Sequence, residues 1–552
     1  MTDLSPDRRV ATRQNPWLLL SGVVTLLVLL PITALVTVAV RGSTGLWAHL
    51  FDYVFPVALR DTTILLGGIG LLAGVIGAGT AWLVTFYDFR GRTIVAWALL
   101  LPLAVPTYIV AYAYLDILHP VGPVQTALRS LLGFDSPRDF RLPDIRSMTW
   151  CIVLLSFVLY PYVYLPTRAM FMMQAANLVD AARTLGTSRS ALFFRVALPL
   201  ARPAVAVGLS LALMEALNDI GASEFLGVRT LTVSIYSTWV TRSDLAGAAQ
   251  IALVMLIVVV SLVLLERWAR RQRRYAHDAQ HPRTLVPHQL GGARAAIALV
   301  VTSIPVAIGF LAPAAYLVQA AVARVRFAGV SGAIVSEAIN TLWVSLIATA
   351  IMMVCAVVVV YAVRVGRGQL PTVLARLAAV GYAVPGTVLA IGLLPVTTII
   401  DTIADWGTVT LFGTTVGLLM ISSGAAMVYA YVGRFLAVTV GGVEAGFSRV
   451  SPSLDDAART LGHGAGSVLW RVHLPLTRPA LATAALLALV DCMKELPATL
   501  LLRPIGFETL ATHLYGEAVR GTYEDGALAA LMIVAIGVVP VIVLARVGHS
   551  IR

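Results

Sequence analysis

The chain has 552 residues, of which 59% are hydrophobic and only 12% charged, with a formal net charge of +12. A soluble domain carries roughly 25% charged residues, so the composition excludes an ordinary water-soluble fold, and a mean hydropathy of +0.86 points to a chain held mostly in lipid. The surplus positive charge sits as arginine in short loops beside apolar runs, which is the pattern of cytoplasmic loops rather than of a nucleic-acid-binding face; the lipid bilayer, and no nucleic acid, is the expected surrounding.

A bilayer core about 30 Å thick takes about 20 apolar residues per helical crossing. Such runs fall at 17–40, 62–86, 93–117, 148–172, 203–226 and 246–266, and again at 293–321, 340–363, 372–399, 408–435, 479–502 and 526–546. The expected fold is therefore all-α: a polytopic membrane protein of about 12 transmembrane helices in two pseudo-symmetric six-helix halves. The first run is too long for the apolar core of a cleavable signal and reads as a retained span. Arg8, Arg9 and Arg13 precede it, Arg90 and Arg92 follow the second run, Arg183, Arg189, Arg195 and Arg202 lie between the fourth and fifth, and Arg267, Arg270 and Arg271 follow the sixth. All fall on one side, as do Arg364, Arg367, Arg459, Arg471, Arg478, Arg546 and Arg552. That side is expected to be the cytoplasm, with both termini there and the protein multi-pass in a bacterial inner membrane.

The domain reading is a first half at 1–266, a basic cytoplasmic linker at 267–292 and a second half at 293–552. The linker region's His277, His281 and His288 are too irregularly spaced for a metal site. Cys151, Cys355 and Cys492 lie in or beside apolar runs and read as small buried side chains with no disulfide framework.

Internal repeats reveal more than any single run. Residues 180–204 read DAARTLGTSRSALFFRVALPLARPA and residues 456–480 read DAARTLGHGAGSVLWRVHLPLTRPA, with 15 of 25 positions identical at a constant offset of 276. In each copy a short helix ends at a glycine, Gly186 or Gly462, whose backbone tolerates a left-handed turn. Ser188 is placed to cap a second helix, which runs through Phe193 and Phe194 and is expected to stop at Pro199; Ser467, Leu469, Trp470 and Pro475 are the counterparts. The result is an aromatic helix–turn–helix elbow on the cytoplasmic side, within loops at 175–203 and 451–479, suited to a partner's groove.

Asp180, Ala181, Ala182 and Gly186 followed by Leu198 and Pro199, and Asp456, Ala457, Ala458 and Gly462 followed by Leu474 and Pro475, resemble the EAA coupling motif of the MetI-like permeases of ABC importers, with Asp standing in place of the usual Glu. The resemblance implies that each elbow couples to a separate ATPase subunit, two copies in all, and that an extracytoplasmic solute-binding protein delivers the cargo. It also implies that ATP and Mg are used by the partner, with no cofactor bound by this chain. The residues agree on the last point. A phosphate-binding loop needs a Gly-Lys-Ser/Thr lysine, and the single lysine, Lys494, precedes Glu495. No HExxH, CxxC or nucleophile elbow occurs, so neither a catalytic nor a metal site is expected.

The run after each elbow carries unusual polarity: Glu215, Asn218 and Asp219 in the first half align with Asp491, Lys494 and Glu495 in the second. Ionisable groups at membrane depth face a bundle interior or a water-filled path, so these six are translocation-pathway candidates, with structural pairing as the other reading. The stretches 494–504 and 507–515, and Asn218 to Glu224, resemble the ferric-iron branch of these permeases. That implies ferric iron as cargo, while fused permeases for thiamine, phosphonate or polyamine share the architecture. An ion-gradient-driven secondary transporter, also built of parallel repeats, is the more distant alternative.

Overall fold

The computed structural model describes residues 16–42, 47–173, 188–271, 287–366, 368–415 and 417–549. In chain order its principal helices are α1 (Pro16–Arg41), α2 (Leu50–Phe86), α3 (Arg92–Ala98), α4 (Thr107–Ile117), α5 (Pro123–Leu132), α6 (Met148–Met173), α7 (Phe193–Asn218), α8 (Gly221–Phe225), α9 (Leu231–Val240) and α10 (Leu245–Arg271). There follow α11 (Gly292–Ala328), α12 (Gly332–Val365), α13 (Leu370–Ala378), α14 (Gly386–Phe412), α15 (Ala425–Phe447), α16 (Pro452–Thr460), α17 (Ala465–Met493), α18 (Pro497–Leu502), α19 (Leu510–Arg520) and α20 (Tyr523–His549). Among the described residues 11 helices are long and apolar enough to cross a membrane, or up to 12 if a bent pair is one span. The chain is a multi-pass, all-α membrane protein.

Four expected spans are corrected by interruptions. The run at 93–117 is two pieces, Arg92–Ala104 and Thr107–Ile117, bent by 93°, because Pro106 disfavours helix at Val105 and starts a new one behind it. The run at 372–399 breaks the same way: a short piece ends at Ala383, and α14 begins after Pro385 and continues to Phe412. The next span is displaced to Ala425–Phe447. The runs at 203–226 and 479–502 are not continuous either; α7 ends at Asn218 and α17 at Met493, each followed by a short second helix.

Pro199 and Pro475 do not stop their helices. Each follows a π-helical turn, Phe193–Ala197 or Leu469–His473, and the helix continues beyond it. The geometry has a simple cause. A proline ring clashes with the carbonyl four residues back, and a wide turn moves that carbonyl aside. The residue before the proline then bonds five residues back: Leu198 N–H to Phe193 O, and Leu474 N–H to Leu469 O. The same device precedes Pro56, where Phe55 bonds to Leu50, and Pro313, where Ala312 bonds to Ala307.

Two compact units interleave the sequence halves. One contains the described residues up to Ala34 together with Trp343–Val384 and Gly392–Cys492. Within it α1 is held by Thr25 Oγ1 donating to Leu374 O (3.1 Å), Tyr429 OH donating to Leu27 O (2.6 Å) and an edge contact of Trp17 on Tyr361. The other contains Leu35–Leu342, Pro385–Ile391 and the residues from Met493. Its core is α2, α6 and α7 packed on one another, with α4 against α6, α8 and α11. Buried tyrosines tie it down: Tyr160 OH donates to Leu99 O and Tyr164 OH to Ala96 O. Tyr114 OH bonds Ile308 O of α11. Each half's first span thus packs in the unit that holds most of the other half's helices. A two-residue parallel ladder, Tyr87–Asp88 (β1) with His288–Gln289 (β2), ties the chain just before α11 to the turn after α2.

Candidate translocation site and coupling elbows

In the unit built around α2, α6 and α7, helix breaks gather. Pro106 and Pro385, each in an Ala-Val-Pro triplet, open α4 and α14. Asn218 and Asp219, at the break between α7 and α8, reach both starts: Thr107 Oγ1 donates to Asp219 Oδ1 at 2.6 Å, and Gly386 N–H donates to Asn218 Oδ1 at 2.8 Å. Asp219 is buried and also accepts from the Ser223 amide (2.8 Å), the Ser223 hydroxyl (3.2 Å) and, more distantly, the Ala222 amide (3.4 Å).

Glu495 repeats the arrangement at the break between α17 and α18. It is buried and accepts from the amides of Ala498 and Thr499, both at 3.0 Å, and from Thr499 Oγ1 at 2.7 Å. Both carboxylates therefore cap the first turn of the helix that follows, where its free amides and dipole favour negative charge. Tyr108 links the two breaks, its OH donating to Lys494 O at 3.4 Å. Gly221 lies so close to Tyr108 that a Cβ there would come within 2.6 Å of the tyrosine Cβ. Glu215 and Asp491 stand half-buried one turn before these breaks, and Lys494 is half-buried beside Glu495. Interrupted helices whose half-helix ends converge are the usual construction of transporter binding sites. The six polar positions singled out in the sequence lie at these two breaks or one turn before them, whereas Pro106, Pro385 and Tyr108 were not among the candidates. The repeated Ala-Val-Pro was the available signal.

Of the first elbow, Asp180, Ala181, Ala182 and Gly186 lie outside the described residues. From Ser188 onward it is visible: the Ser188 hydroxyl accepts from the Ala191 amide at 3.3 Å, the expected cap. Phe193 turns inward against Trp82, ring centroids 5.0 Å apart, and Trp82 also contacts Phe86 and Phe171. Phe194 points outward, 65% exposed. Leu198 and Pro199 are half-buried where the π turn meets the α-helix.

The second elbow is described throughout. Asp456 and Ala457 are exposed, Ala458 is buried, and Gly462 turns the chain at φ 82°, where a side chain would be strained. Ser467 is not the cap here. Gly464 occupies that place, and Ser467 Oγ hydrogen-bonds His463 Nδ1 instead. Trp470, equivalent to Phe194, is 71% exposed, with Leu461 and Leu476 exposed nearby in sequence. Leu474 is half-buried and Pro475 exposed.

Beneath this elbow lies a charged cluster that sequence reasoning missed. Arg364, at the end of α12, donates from Nε to Asp455 Oδ2 at 2.8 Å. Its other nitrogens reach the carbonyls of Phe447 (3.3 Å) and Val450 (2.8 Å) at the end of α15. His473 Nε2, fully buried, hydrogen-bonds Asp455 Oδ1 at 2.7 Å. Burial pushes the Asp455 carboxyl up, but the hydrogen bonds from Arg364 and His473 outweigh it and hold the group below its ordinary value of 3.8. Tyr361 OH closes the cluster by donating to Ala465 O at 2.5 Å. Among the described residues no three His, Cys, Asp or Glu side chains gather as metal ligands.

A polytopic helical body whose sequence carries the same 25-residue segment twice is in keeping with the permease subunit of an ABC importer. The chain belongs to the family described as binding-protein-dependent transport system inner membrane component, which it matches twice, at residues 70–275 and 359–552. Among its relatives, the Fe(3+)-transport system permease protein FbpB 2 of Haemophilus influenzae is 22% identical over 491 residues, 88% of this chain and 89% of that protein. A probable molybdenum ABC transporter permease protein of Haloferax volcanii is 28% identical over 275 residues, 48% of this chain and 96% of its own length. A putative 2-aminoethylphosphonate transport system permease protein of Salmonella typhimurium is 28% identical over 282 residues, 49% of this chain and 97% of its own.

Proposed function

We propose that this chain is the membrane conduit of a ferric-iron importer, loaded by an extracytoplasmic binding protein. The observation that carries the cargo assignment is the similarity to the Fe(3+)-transport permease across 88% of the chain, both duplicated halves included. The oxygen-rich polarity at the breaks, Asp219 and Glu495 with Glu215 and Asp491, suits the passage of a hard cation. The half-length relatives named for molybdenum and 2-aminoethylphosphonate support a second reading, an oxyanion or phosphonate cargo. Purified permease, reconstituted in vesicles with its ATPase and binding protein, separates the two. Uptake of radioactive iron unaffected by excess molybdate or 2-aminoethylphosphonate supports iron, and uptake of either anion in its place overturns it.

Two ATPase subunits seat on the elbows around 180–199 and 456–475, with Phe194 and Trp470 as the exposed ridges, and their nucleotide cycle drives the spans. ATP and Mg belong to those subunits. The termini and the linker at 267–292 lie in the cytoplasm, between functional halves at 1–266 and 293–552. Gly462→Pro, alone or with Gly186→Pro, is expected to abolish uptake while the protein still inserts in the membrane, since proline fixes φ near −65° where Gly462 needs a positive value. Normal uptake by the double variant contradicts the coupling role.

A further inference from the structure

We propose that the two elbows are mechanically unequal: the second transmits force through an Arg364–Asp455–His473 clamp that the first does not possess. The inference rests on the coupling role of the elbows set out above and assigns its load path. Asp455 immediately precedes the repeated Asp-Ala-Ala, and His473 immediately precedes the repeated Leu-Pro. At the same 276-residue offset the first elbow has Val179 and Ala197, so neither side chain of the pair has an ionisable counterpart.

The clamp joins four pieces of backbone. Arg364 brings the end of α12, Phe447 and Val450 bring the end of α15 and the turn after it, Asp455 brings α16, and His473 brings the π turn that leads into α17. Arg364 thereby adds donors to carbonyls at and just beyond a helix end, while its Nε holds one oxygen of the carboxylate. His473 is fully buried and Asp455 nearly so, which keeps solvent from competing for these bonds. A push on the exposed α16 face therefore reaches α12, α15 and α17 together. Among the described residues of the first elbow, the equivalent of His473 is Ala197, buried and with no polar atom in its side chain, and the contact seen beneath the elbow is apolar, Phe193 against Trp82. Such contacts resist separation but have no directional bonds to stop one surface sliding on another.

Asp455, His473 and Arg364 are thus positioning residues for transport, and their signature is the ratio of cargo moved to ATP hydrolysed. The test uses the complete complex in vesicles and compares Asp455→Asn, His473→Ala, their double variant, Arg364→Lys, Phe193→Ala and Gly462→Pro. Co-purification of the ATPase subunits is measured for each. Asp455→Asn and His473→Ala are expected to keep the ATPase subunits bound and to lower uptake per ATP by about fivefold or more, the lower range for coupling between two sites. The double variant is expected to do little more harm than either single one, as for residues acting as a unit. Arg364→Lys, which keeps the charge, retains part of the ratio. Phe193→Ala is expected to lower the yield of folded complex and to lower the ratio less than the clamp variants do. If Gly462→Pro lowers the ratio and the clamp variants do not, the clamp is overturned while the elbows stand. If none of them changes the ratio, the coupling role itself falls. An equal loss of ratio in Phe193→Ala and Asp455→Asn overturns the inequality.

Discussion

The two elbows began as one sequence and are now attached to the membrane body by different chemistry. Among the described residues the first is seated by Phe193 against Trp82, with Phe86 and Phe171 completing an aromatic group. The second is seated by Arg364, Asp455 and His473, with Tyr361 edge-on to the imidazole at 5.6 Å and Phe447 tilted against it at 5.0 Å. What both retain is the outward aromatic, Phe194 or Trp470, and the π turn beneath it. The outward aromatic has been kept, while the contacts seen beneath it among the described residues differ.

That contrast can be broken or sharpened by experiment. The largest effect is expected from Gly462→Pro, with uptake reduced to background in reconstituted vesicles and membrane insertion intact. The clamp variants come next, with about fivefold lower uptake per ATP measured by parallel transport and phosphate-release assays. Trp82→Ala is expected to destabilise the first seat by about 3 kcal/mol, at the low end for burying a lost aromatic, read as earlier unfolding in detergent. The clamp variants are expected to cost about 1–3 kcal/mol, because His473→Ala or Asp455→Asn leaves a buried polar partner short of a hydrogen bond. Replacing Asp219 by Asn keeps one of the two acceptor oxygens that it uses and loses the other, so a loss of about 1 kcal/mol is expected. Glu495→Gln should match it if the two breaks are equivalent.

The smallest effect concerns His513, in α19, whose hydrogen bond to Glu337 at 3.1 Å raises its pKa above the ordinary 6.5 against the opposing pull of burial. A raised folded pKa stabilises the protein fully below 6.5 and loses that contribution as pH climbs through the folded value. Wild type should therefore exceed His513→Gln in melting temperature by a few degrees at about pH 6 and by less at about pH 9. A difference that does not shrink with rising pH would remove the histidine charge from the account.

Much of the fold was legible before any coordinates. Apolar runs of bilayer length mark spans because the lipid leaves the backbone no other solution, and the 25-residue repeat placed both elbows in register. What escaped were interruptions. Pro106 and Pro385 sit inside runs apolar enough to pass as single spans, so hydropathy alone could not show that the helix stops there. Pro199 and Pro475 misled in the opposite sense, since a π turn lets a helix absorb a proline that would otherwise end it. Of the candidate polar residues, Asp219 and Glu495 were visible as charges in apolar surroundings. Their role as caps was not, because capping depends on a break the sequence did not announce. The clamp escaped for another reason: Arg364 and Asp455 are 91 residues apart, and each alone reads as an ordinary loop charge.

The wide turn at Phe193–Ala197, matched at Leu469–His473, also sets an azimuth. An α-helix advances about 100° per residue, so a turn with one residue in excess rotates everything beyond it by about that angle relative to a straight helix. The face on which Phe194 or Trp470 stands is thereby offset from the face that leads to Asn218 or Lys494. Inserting one alanine in that turn would swing the outward aromatic around the helix axis with every existing side chain preserved. The orientation of each elbow is thus encoded in a residue count as much as in residue identity.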